Sequence, residues 1–141
     1  MADEAHKEQA PVGTGLVIEP VTGAFAICKV EDYSQVDFER AFCFVGKTDA
    51  ERSLVCLAED VPANATDVDG GWRALRVEGQ LDFSLTGVLA GIARVLADEG
   101  IGIFAISTYD TDYILVKSER FSDALTALDR AGYGHSEKWD T

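Results

Sequence analysis

Apolar and polar positions change period several times along this chain, and each change marks an element. LVIE at Leu16–Glu19 and FAICKV at Phe25–Val30 are β-prone runs. PVTG between them reads as a turn, because proline presets φ and glycine permits positive φ, so the pattern predicts a hairpin. SQVDFERA then places Phe38 and Phe42 on one helical face behind Ser34 as N-cap, which predicts about two helical turns. FCFVGKT and SLVCLAE read as two strands joined by the polar DAER. VPANATDVDGG reads as a loop from its Pro, Asn, Asp and Gly content, and it is the best internal boundary.

From Trp72 the pattern strengthens. WRALRVEG reads as a strand, and SLTGVLAGIARVLADEG reads as an amphipathic helix with Leu85, Val88, Leu89, Ile92 and Leu96 on one face and Gly100 as its C′ residue. IGIFAIST and DYILVKS are two strands around a tight polar turn. RFSDALTALDRAG is a second helix, with Phe121, Ala124, Leu125 and Leu128 on one stripe and Gly132 at its end. The order βαββα, with room for a short final strand, lets two helices cover one face of an antiparallel sheet in a ferredoxin-like α+β arrangement. Phe44–Cys56 can be laid on Phe104–Val116 without a gap, matching Phe44 to Phe104 and Thr48 to Thr108. The expected organisation is a disordered N-terminal arm at 1–14, a first, abbreviated unit at 15–66 and a complete second unit at 71–141.

Composition narrows the function classes. The chain has 141 residues, 47% hydrophobic and 26% charged, enough for a real core. Its formal charge of -13 repels phosphate backbones and anionic membrane surfaces, so neither nucleic acid nor membrane is an expected partner. No apolar run has the length of a membrane helix and the N-terminus lacks a signal-peptide pattern, which predicts a cytoplasmic protein. The three cysteines, Cys28, Cys43 and Cys56, read as reduced thiols buried on strands.

The segment from Trp72 to Val116, above all DFSLTGVL and FAISTYDTDYILV, resembles small bacterial tandem ACT-domain proteins and, more distantly, the cytosolic arginine sensors of the mTOR pathway. The resemblance implies a free-standing, non-catalytic regulatory module that binds a small ligand, usually an amino acid, between ACT domains and commonly forms a homodimer. No cofactor and no metal site is expected. The resemblance places the ligand near the loop Gly79–Gly87, with Asp82, Ser84, Leu85, Thr86 and Gly87, and beside the strand ends carrying Ile106, Ser107, Thr108, Tyr109, Asp110 and Asp112.

Those residue types suit a zwitterion. A helix starting near Ser84 offers unpaired N–H groups and a positive dipole end to a carboxylate, Asp82 accepts from an ammonium, and Gly87 permits close approach. Asp110 or Asp112 can pair with a cationic ligand side chain. The plainer alternative is that Ser84 only caps a helix and STYDTD only closes a turn. Two other functions remain open: a ligand-free interaction module anchored by Trp72, Phe83 or Trp139, and an enzyme using the DTD triplet on a hard cation.

Overall fold

Residues 16–78 and 87–135 are described by the computed structural model, and the arm expected at 1–14 lies outside them. The elements are β1 (Val17–Val30), β2 (Cys43–Lys47), β3 (Arg52–Leu57), β4 (Ala65–Glu78), α1 (Val88–Asp98), β5 (Phe104–Ser107), β6 (Asp112–Lys117), α2 (Phe121–Arg130) and β7 (Gly134–His135). Short 3-10 turns at Ala58–Asp60 and Ser118–Arg120 follow β3 and β6. The chain divides into two units, Met1–Val21 with Ala74–Thr141, and Thr22–Arg73, so both divisions fall within the long strands β1 and β4.

In the unit containing Ala74–Thr141 the order β4-α1-β5-β6-α2-β7 is the βαββαβ succession. Strands neighbour one another as β1-β4-β6-β5, and β7 pairs in parallel with the start of β1. Strand alternation sends Ile18, Leu75, Val77, Ile114 and Val116 into one core with Ile92 and Leu96 of α1 and Phe121, Ala124 and Leu128 of α2. Each large aliphatic side chain buried there contributes about 1.5–3 kcal/mol. Both helices end alike. Gly100 and Gly132 take φ 73 and 98, and the N–H groups of Ile101 and Tyr133 bond the carbonyls of Leu96 and Leu128 at 2.9 and 3.1 Å. Ile101 and Tyr133 are buried, completing the hydrophobic contact of this C-terminal motif.

The unit Thr22–Arg73 has the strand order β2-β3-β1-β4. Ala26, Cys28, Val30, Leu54 and Cys56 form its core, covered by Tyr33, Val36, Val61 and Ala65. Three local expectations are corrected here. The predicted hairpin is one continuous strand, β1, in which Gly23 at φ 111 absorbs the kink that PVTG suggested. The helix expected over SQVDFERA is absent: Ser34 N–H donates to Asp32 Oδ1 at 3.0 Å and Asn64 Nδ2 donates to the same oxygen at 3.1 Å. Asp32 thus fixes a local turn that competes with a helix, and Phe38 stays exposed while Phe42 packs edge-on to Phe25 at 5.4 Å. The loop expected over VPANATDVDGG is confined to its first residues, because β4 already begins at Ala65.

The hairpins of the two units share one geometry. Phe44 pairs with Val55 and Lys47 with Arg52, as Phe104 pairs with Leu115 and Ser107 with Asp112, each position advanced by 60. The turns repeat the same closure, with Thr48 N–H bonding the Glu51 carbonyl at 3.0 Å and Thr108 N–H bonding the Thr111 carbonyl at 2.8 Å. The gapless alignment of Phe44–Cys56 on Phe104–Val116 therefore corresponds to matching register as well as matching order.

Two stability measurements check this fold. A Cβ at Gly23 would lie 2.9 Å from Leu57 Cδ2 at a φ that L residues disfavour, so Gly23→Ala is expected to lower urea-unfolding stability by roughly 1–3 kcal/mol. Burial pushes the Cys56 thiol from 9.0 up to about 12, helped by the neighbouring Cys28 and Asp60. The folded state then holds a proton that the unfolded state releases, so this contribution is complete below pH 9 and lost as pH rises toward about 12. The alkaline fall in Tm is expected to be shallower for Cys56→Ala than for the unaltered chain.

Candidate ligand-binding site

The β5–β6 hairpin ends beside β4 for a packing reason. Ile114 and Val116 of β6 sit with Leu75 and Val77 of β4 in the core beneath the helices, which fixes the start of β6 near the end of β4. Thr111 reaches across that seam and donates its hydroxyl to the Val77 carbonyl, one residue before β4 ends at Glu78. The turn is thereby tied to the strand that leads toward Gly79–Gly87.

Much of the polar content of STYDTD is used within the turn. Ser107 donates its hydroxyl to Asp112 Oδ1 at 2.6 Å. Thr108 Oγ1 donates to the Thr111 carbonyl at 3.1 Å and accepts from Thr111 N–H at 3.3 Å. Ile106 is half-buried opposite Tyr113, whereas Tyr109 is 83% exposed and Asp110 is exposed at the tip. Ser107 and Asp112 are direct register partners of β5 and β6, which sets their side chains together on one face.

On the other side, α1 begins at Val88 and its N-cap is Gly87, with φ 84 and no side-chain cap bond. A left-handed residue is not helical, so the start expected at Ser84 moves to Val88. Asp82, Ser84, Leu85 and Thr86 lie outside the described residues. Gly91 N–H bonds the Gly87 carbonyl at 2.8 Å, the first bond of the helix.

A charged cluster that sequence reasoning missed lies on the sheet face away from the helices. Arg76 of β4 donates from Nε to Glu78 at 2.8 Å, from Nη1 to the Tyr113 hydroxyl at 3.3 Å and from Nη2 to Glu19 at 3.1 Å. Its guanidinium carbon lies 5.8 Å from the centre of the Tyr113 ring. The Tyr113 hydroxyl foremost, then Glu19 and Glu78, hold the Arg76 pKa above its usual value. The signal was present in LRVE: alternation with core residues Leu75 and Val77 puts Arg76 and Glu78 on one face. The fork engages three partners at once, on β1, β4 and β6. Among the described residues no group of three or more His, Cys, Asp or Glu is arranged to hold a metal ion. No described helix is long and apolar enough to cross a membrane.

Comparison with known proteins agrees with this architecture. Residues 67–130 match the ACT domain family. The rat protein Cytosolic arginine sensor for mTORC1 subunit 1 is 35% identical over 68 residues, which are 48% of this chain and 20% of that protein. The chain thus corresponds to about a fifth of that relative's length. A crystal structure from Agrobacterium tumefaciens is 29% identical with a TM-score of 0.76, covering 86% of this chain and 92% of the other. The ligand-free regulatory subunit of aspartate kinase from Thermus thermophilus is 15% identical with a TM-score of 0.56, covering 85% and 98%, and shares the fold.

The charged cluster makes a direct prediction. Arg76→Met removes the fork's bonds to Glu19, Glu78 and Tyr113 together, and is expected to cost roughly 1–3 kcal/mol in urea unfolding. Adding Glu19→Gln to that variant should recover part of the loss.

Proposed function

Because residues 67–130 match the ACT domain family, we propose that the chain is a non-catalytic regulatory module that senses an amino acid and acts as a homodimer. The observation that carries this reading is the tether between Thr111 and the Val77 carbonyl. It sets the polar hairpin tip beside the strand feeding the Gly79–Gly87 segment, whose last residue heads α1 with positive φ. A zwitterion needs donors for its carboxylate and acceptors for its ammonium, because burial without partners is costly. The first turn of α1 supplies N–H donors, and Asp82 with the hairpin carboxylates supplies acceptors. Asp112 already accepts from Ser107, so Asp110 is the hairpin carboxylate to which a cationic ligand side chain would turn. The rat relative named as an arginine sensor supports including cationic amino acids in that class.

A ligand-free interaction module is the competing reading, favoured by the exposed Phe104 on the edge strand β5. A thermal-shift screen of the reduced, ligand-free chain against the protein amino acids separates the two. One chemical class is expected to raise Tm, by selective binding to the native state. Asp82→Ala and Thr86→Val should abolish that shift while leaving the unliganded Tm within a few degrees. A flat screen accompanied by concentration-dependent dimerisation would instead establish the interaction module.

A further inference from the structure

The three cysteines of the chain fall in one unit on three neighbouring strands, Cys28 on β1, Cys56 on β3 and Cys43 on β2. All three pack in the core cluster with Ala26, Val30 and Leu54, and Cys43 is the half-buried member at its margin. They are not arranged to hold a metal ion together. Cys43 and Cys56 are, however, direct register partners. Thr48 and Glu51 form a hydrogen-bonded pair, and counting alternate pairs down the ladder makes Cys43 and Cys56 a non-hydrogen-bonded pair. Such pairs bring Cα atoms to about 4.5 Å, within the roughly 4.4–6.8 Å that a disulfide spans. Cys28 instead pairs with Leu54, which sets it diagonal to Cys56.

We infer that Cys43 and Cys56 form a dithiol modification site that a low-molecular-weight disulfide, such as glutathione disulfide, converts to a cross-strand disulfide between β2 and β3. Cys43, the less buried thiol, enters first: its thiolate attacks one sulfur of glutathione disulfide and expels one glutathione thiolate, leaving a mixed disulfide on Cys43. The Cys56 thiolate then attacks the Cys43 sulfur and expels the second glutathione. The two protein thiols lose two electrons and two protons, and glutathione disulfide gains them as two glutathione thiols. Burial foremost, then the Asp37 and Asp60 carboxylates, raise the Cys43 thiol, and burial raises Cys56, so thiolate is scarce and exchange is slow. The site therefore responds to a sustained oxidising poise instead of a brief pulse.

The test incubates the reduced, folded full chain with glutathione disulfide, blocks remaining thiols by alkylation and maps linked peptides by mass spectrometry. A Cys43–Cys56 link is expected, with loss of two free thiols and a raised Tm, and it should persist in Cys28→Ala. Cys56→Ala is expected to stop at a glutathione adduct on Cys43. A Cys28–Cys56 link in its place, or three free thiols after prolonged incubation, would overturn the inference.

Discussion

Three consecutive residues of β6, Ile114, Leu115 and Val116, have no solvent exposure, and the placement of the hairpin depends on that burial. A buried aliphatic side chain contributes about 1.5–3 kcal/mol, whereas one hydrogen bond contributes about 1 kcal/mol net of solvent. Packing therefore decides where β6 runs, and the Thr111 hydroxyl on the Val77 carbonyl refines where its turn stands. The Arg76 fork on the opposite face adds lateral stiffness between β1, β4 and β6 without adding much to the core. A site made of loop and turn residues acquires precision from such a frame, because the loops themselves contribute little packing.

The unit containing Ala74–Thr141 was legible because its signals agree at every level. The stripe from Val88 to Leu96, the stripe from Phe121 to Leu128 and the glycines that end both helices all specify the same elements. The other unit was less legible because local chemistry competes with pattern. Proline and glycine in PVTG suggested a turn, yet flanking burial keeps β1 extended through Gly23. Ser34 looked like a cap, yet it bonds Asp32, and Tyr33 and Val36 cover the core where a helix was expected. TDVDGG carries turn residues, yet Thr66 donates to the Lys29 carbonyl at 3.5 Å and the segment extends as part of β4.

The candidate site was readable in its parts and not in its bonding. Sequence placed polar residues at the hairpin but did not show that Ser107, Thr108, Thr111 and Asp112 largely satisfy one another. Side-chain pairing across a turn depends on register, which a linear pattern does not specify until the strand ends are fixed. Arg76 escaped notice because an arginine within a strand is unremarkable until Glu19, distant in sequence, is brought beside it. The match to the ACT domain family over residues 67–130 falls in the half of the chain whose pattern was strongest, and the fold shared with structural neighbours agrees with it.

The most direct measurement is a two-dimensional amide NMR titration with the amino acid that binds most tightly. The account predicts that amides of Gly87, Val88 and the Thr108–Asp112 turn shift together along one saturable curve, while those of the β2–β3 turn stay still. Saturable shifts confined to other strands, with the α1 entrance and the β5–β6 turn unmoved, would contradict it.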